Sequence, residues 1–148
     1  METAWDFFSR PSNLSKITPE DMNFQVTSVE EVGKKSMYPG MIITYTVKPF
    51  PFIKMSWVTE ITHVREPEYF IDEQRFGPFA FWHHEHKFIP VDGGVLMHDT
   101  LHYSVGWSII GNVANNMLVE QRIMDIFKFR TKKITEIFGS IGSSGPII

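Results

Sequence analysis

Between Met22 and Val105 the apolar residues of this chain recur at a period of two, and after Gly106 the period changes once to about 3.6. That single switch restricts the architecture. Met22, Phe24 and Val26 alternate with polar neighbours, and after the Tyr38-Pro39-Gly40 turn so do Met41, Ile43, Tyr45 and Val47. Beyond Pro49-Phe50-Pro51, a third strand carries Met55, Trp57, Thr59 and Ile61 on one parity and extends to Arg65. Tyr69 to Phe76 forms the fourth, Gly77-Pro78 turns the chain, Trp82 to Val91 forms the fifth, and Asp92-Gly93-Gly94 leads into a sixth from Val95 to Val105.

The helical stretch is expected to run from about Ile109 to Phe138. Ile110, Val113, Met117, Met124, Phe127, Ile134 and Phe138 mark its apolar stripe. Ahead of the strands, Glu2 to Ser9 and Ser12 to Ile17 read as two short helices bounded by Pro11 and Pro19. Half-buried antiparallel strands followed by one amphipathic helix bury both apolar faces by packing helix onto sheet. The expected class is α+β, with a six-stranded sheet curled around the C-terminal helix and a gap where the two diverge.

Length and composition agree with one domain. The chain has 148 residues, 43% of them hydrophobic, enough for one core, which we place in 1–139 with 140–148 as a flexible tail. Its 14 basic and 17 acidic residues are dispersed and leave a formal charge of -3, so nucleic acid is not expected as a partner. The chain lacks cysteine, a signal-peptide pattern at METAWDFFSRP and any run of 18 apolar residues, which together suggest a cytoplasmic protein without a membrane partner. Aromatic residues make up 14% of the chain and Met contributes 8 more, a composition suited to a pocket for apolar guests and equally to an ordinary core.

Four segments in order, AWDFFSRPSNLSKITP, FGPFAFWHHEHKF, VDGGVLMHDTLHY and IFKFR, resemble the ligand-binding members of the SRPBCC superfamily. That superfamily has the START-like or helix-grip fold shared with the major birch pollen allergen and aromatic polyketide cyclases, and the resemblance covers the chain nearly to Gly139. It implies a hydrophobic cavity without specifying a ligand. Members usually begin with an edge strand, whereas this sequence opens in the first helix. A sheet edge left unpaired in consequence would make a homodimer possible.

The densest polar chemistry lies in Trp82-His83-His84-Glu85-His86-Lys87-Phe88. Alternation puts Trp82, His84, His86 and Phe88 on the inner face and His83, Glu85 and Lys87 outside. On the next strand Val95, Met97, Asp99, Leu101 and Tyr103 face inward, while His98, Thr100 and His102 face outward. A two-residue Asp92-Gly93 loop sets His86 opposite Asp99, and a loop using both glycines makes the pair diagonal, still within reach of these side chains. A turn around Phe79 is expected to bring Gln74 beside His84 and Asp72 beside His86.

Asp72, Gln74, His84, His86 and Asp99 thus form an expected polar cluster in an apolar cavity walled by Trp57, Phe76, Trp82, Tyr103, Met117, Met124 and Phe127. Glu120 lies between Met117 and Met124, either reaching solvent or closing the pocket opposite the histidines. Arg130 is assigned to the helix surface, paired with an acidic neighbour. The leading reading is a binding module for a small hydrophobic or amphipathic molecule, which the cluster orients. The same cluster could instead be a buried network that fixes strand register. His86 with Asp99 could also serve a cyclase, dehydratase or hydrolase as acid and base, or the domain could be an interaction or regulatory protein. No cofactor is assigned. No metal is assigned either, because the glutamate expected after a cupin-like HxH is missing.

Overall fold

The computed structural model describes residues 1–28, 36–50, 52–106 and 113–141. Helix α1 spans Glu2–Phe8, and 3₁₀ helices follow at Pro11–Ile17 and Glu20–Met22. Strands β1 (Gln25–Val26), β2 (Met41–Phe50), β3 (Ile53–Arg65), β4 (Tyr69–Phe76), β5 (Phe79–Val91) and β6 (Gly94–Val105) form one antiparallel sheet in chain order. Helix α2, Val113–Phe138, closes the fold. The chain is therefore α+β with the helix-grip arrangement: an open sheet, a long C-terminal helix and short N-terminal helices.

The first strand is far shorter than the Met22–Val26 alternation suggests. Met22 ends a 3₁₀ helix, and Asn23 takes a left-handed conformation at φ 44°, which breaks the extended path before pairing begins at Gln25↔Thr46. The second N-terminal helix falls where expected, in tighter 3₁₀ form and beginning at Pro11. Among the described residues α2 starts at Val113, so Ile109 and Ile110 lie outside them, as does 142–148 of the expected tail.

Two irregularities in the β3–β4 ladder, between Val58 and Thr59 and between Ile61 and His63, supply extra residues that bend the sheet. The core is divided around that concave face. One buried cluster joins Trp5, Phe70 and Phe88, a second Met22, Val47 and Trp57, and a third Met41, Ile43 and Ile61. Helix α2 inserts Val119 and Ile123 toward the interior, lays Ile126 on the second cluster and sets Phe138 5.2 Å edge-on to Phe7. The helix is thus held by the N-terminal segment at one end and by the Trp57 cluster further in.

The buried face of α2 matches the expected stripe only in part: Phe127 meets His84 and Phe138 meets Phe7, but the methionines of the stripe face out. Met117 is 72% exposed and Met124 36%, while Val119, Ile123 and Ile126 point inward. The inward row is the predicted one displaced by a single residue, a rotation of about 100°. Arg130 falls on this inward row, where an apolar pattern cannot register it.

Candidate functional site

A cavity of about 350 Å³ lies between the concave sheet face, the N-terminal helices and α2. Its walls are mostly apolar, with Ile43, Val47, Trp57, Phe79, Ile123 and Ile126 among them. Burial of these side chains supplies the dominant favourable free energy, roughly 25 cal/mol per Å² of apolar surface, and leaves an uncovered remainder that a guest can cover. Where β4 and β5 meet, Asp72, His84 and His86 all line the cavity.

Hairpin β5–β6 pairs His86 with Asp99 and Val91 with Gly94, the register expected from the Asp92-Gly93 loop. Between β4 and β5 the register differs from expectation by two residues. Asp72 opposes His84, and Phe70 opposes His86. Asp72 still enters the cluster, because its Oδ2 accepts a hydrogen bond at 2.8 Å from Nε2 of His86 and lies 3.5 Å from Nδ1 of His84. The other carboxylate oxygen, Oδ1, accepts from the indole Nε1 of Trp82 at 3.3 Å.

The same slip removes Gln74 from the cluster. Its amide donates to the Phe79 carbonyl at 2.6 Å and its Oε1 accepts from the Phe79 N–H at 3.2 Å, so it clamps the Gly77-Pro78 turn.

Asp99 approaches from the side away from the cavity. Its Oδ1 lies 2.7 Å from Nδ1 of His86 and 3.3 Å from Nε2 of His84. Those distances suit hydrogen bonds, yet the alignment does not, and all three buried atoms are left without a hydrogen-bond partner among the described residues. Each imidazole is therefore held between two carboxylates, with the ring centroids 3.8 Å apart and Phe70 stacked 4.3 Å from the His86 ring. His84 is 3% exposed and His86 6%.

Electrostatics follow from this enclosure. Burial alone would lower the pKa of His86, but the adjacent Asp72 and Asp99 carboxylates outweigh it and raise the value to about 9. For Asp72 and Asp99, burial works toward a higher pKa, and contacts with His84 and His86 overcome it, holding both carboxyls well below the usual range. Tyr45, which shares a 2.8 Å hydrogen bond with Thr59 on the same face, has its phenol pushed far up by burial, with the Asp72 charge adding to the effect.

Several expected wall residues lie elsewhere. Trp57 and Trp82 border the cavity and meet edge-on at 5.1 Å. Phe127 borders a side pocket of about 50 Å³ and sits 5.7 Å from the His84 ring. Phe76 is 65% exposed because the irregularity between Val58 and Thr59 inserts Arg75 as an extra residue, so Phe76 pairs with Val58 on the outer face. Tyr103 packs edge-on to Phe79 at 5.7 Å, outside the cavity lining, and burial together with the Glu120 charge raises its pKa. Met117, Met124 and Glu120 are all exposed on α2, so Glu120 does not close the pocket.

Arg130 corrects the sequence reading in the other direction. It borders both the main cavity and the side pocket, with its guanidinium carbon 5.3 Å from the Phe127 ring centre. Its Nε is buried and makes no hydrogen bond among the described residues. Arg122, two helical turns earlier, is engaged: it donates to the Pro49 carbonyl at 2.8 Å and to Asp21 at 2.7 Å. Of these two cavity-lining arginines, Arg130 has hydrogen-bonding capacity to spare.

Comparison with known proteins places the fold. No protein-family model matches the sequence, and no curated protein matches it. Among solved structures, protein Ms6760 from Mycobacterium smegmatis superposes with a TM-score of 0.61 at 19% identity, over 91% of this chain and 81% of that one. Protein TTHA0849 from Thermus thermophilus gives a TM-score of 0.60 at 17% identity, over 86% and 88%. At such identities the likeness concerns the fold alone. No helix among the described residues is long and apolar enough to cross a membrane.

Proposed function

We propose that this chain is a binding module of the SRPBCC type that takes up a small amphipathic molecule between sheet and helix. The observation that carries the reading is a mostly apolar cavity of about 350 Å³ with Asp72, His84, His86 and Arg130 among its lining residues. Ligand sites commonly have this composition: apolar walls give affinity and a few placed polar groups give orientation. The guest's hydrocarbon or ring portion lies along Ile43, Val47, Trp57 and Ile123, and its polar end meets Arg130 and the Asp72/His84/His86 group.

Arg130 supports a polar or anionic end. A buried guanidinium nitrogen without a partner is costly, and a ligand oxygen would relieve that cost. Trp57 and Trp82 on the cavity wall provide the readout. Titration with anilinonaphthalene sulfonate should give saturable, one-to-one quenching of tryptophan emission with enhanced probe fluorescence. Native mass spectrometry of gently purified protein should show a co-purifying small molecule. Absence of saturable probe binding, together with a bare chain mass, would refute the proposal.

A further inference from the structure

The geometry points to a divalent transition-metal site in which Asp72, His84 and His86 are the ligands and Asp99 orients the two imidazoles. The inference does not require a guest in the cavity. Asp72 Oδ2, His84 and His86 each offer one ligand atom, and the three atoms lie within 4.8 Å of one another. Oδ2 is 2.8 Å from Nε2 of His86 and 3.5 Å from Nδ1 of His84. Ligands about 2.0–2.1 Å from a tetrahedral ion stand roughly 3.4 Å apart, so small side-chain adjustments suffice to enclose one.

The surroundings match what such an ion needs. A metal-bound imidazole directs its other nitrogen at a carboxylate or carbonyl, which fixes its tautomer. Here those nitrogens, Nδ1 of His86 and Nε2 of His84, both face Oδ1 of Asp99. All three atoms are buried and lack a hydrogen bond among the described residues, so a slight turn of the rings would point both N–H groups at that oxygen. A ligating carboxylate is also normally anchored by its second oxygen, and Oδ1 of Asp72 already accepts from Trp82.

Charge balances as well. Two carboxylates neutralise a dication when both imidazoles are neutral, so the buried site carries no net charge of its own. Two imidazoles and one carboxylate suit zinc or iron rather than magnesium or calcium. Asp72, His84 and His86 line the cavity and Asp99 does not, so the coordination position left open faces the guest space.

Chelator-treated protein titrated with cobalt(II) should develop visible d–d absorption that saturates at one ion per chain. Elemental analysis of protein purified from zinc- and iron-supplemented medium should find one of these metals near stoichiometry. H86Q should abolish the cobalt spectrum. D99N should weaken cobalt affinity about 10- to 100-fold with the circular dichroism of the wild type. H83Q, which removes an outward imidazole bonded to Glu73, should leave affinity unchanged. The proposal is overturned if no ion binds, if H83Q removes the site, or if H86Q retains full affinity. Should H86Q not fold, full affinity in D99N overturns it equally.

Discussion

Backbone pairing sets Asp72 opposite His84, yet Asp72 accepts its 2.8 Å hydrogen bond from the imidazole of His86, one pleat along β5. A single carboxylate thereby spans two inward positions of the neighbouring strand, and Asp99 does the same from β6. Each acid serves both bases, so removing one member disturbs the whole group.

The metal-free protein should be most stable in mildly acidic solution. Asp72 and Asp99 have lowered pKa values in the fold, so the stability they contribute is present above the ordinary carboxylate range and declines as pH falls below it. His86 has a raised pKa, so its contribution is complete below about 6.5 and lost as pH climbs through about 9. A shift of that size corresponds to about 3 kcal/mol. Urea unfolding of chelator-treated protein across this range should give a maximum between these limits, and H86Q should flatten the alkaline side.

Phe70→Ala should cost about 3–5 kcal/mol in chemical denaturation. The Phe70 ring is 3% exposed, meets Trp5 edge-on at 6.0 Å and stacks on His86. Its loss opens a void behind the imidazole as well as in the first core cluster. A change below about 1 kcal/mol would contradict the described packing.

Arg130→Met keeps the aliphatic bulk while removing the guanidinium, whose buried Nε has no partner among the described residues. Affinity for anilinonaphthalene sulfonate should fall about tenfold, and affinity for an uncharged apolar probe should not. Equal losses for both probes would mean that Arg130 shapes the cavity and does not recognise charge.

Gln74→Ala should cost roughly 1–3 kcal/mol, because it frees the Phe79 backbone groups that the amide clamps. Gly77→Ala acts on the same turn: a Cβ there would come within 2.6 Å of Gln74 Oε1, at a residue whose φ is 153°. Faster amide hydrogen exchange at Phe79 in both variants, with little change at Asp99, would locate the effect.

What the sequence reveals of the site depends on local geometry. The Asp92-Gly93-Gly94 loop is short, so its chemistry leaves only two β5–β6 registers, His86 and Asp99 are in reach in both, and the structure has the directly opposed one. The Gly77-Pro78 connection has no such restriction. Phe79 enters β5 three residues before Trp82, and the ladder shifts by two, exchanging Gln74 for Asp72 opposite His84.

The buried face of the helix is hidden for a different reason. An inward Arg130 weakens the apolar count on the true buried row, while exposed Met117 and Met124 strengthen the adjacent one. A functional cation inside a cavity works against the pattern used to orient its helix. Asn23 is similarly silent: nothing in the Met22–Val26 alternation announces a left-handed residue.

The Arg122 contacts with Asp21 and the Pro49 carbonyl tie α2 to the Glu20–Met22 helix and to the end of β2, both beside the cavity. Asp21 is 64% exposed, so this tie is open to screening by dissolved ions. On the proposed binding role, uptake of an uncharged probe should then quicken with added salt, making exchange with the cavity sensitive to its ionic surroundings although the greasy interior is not.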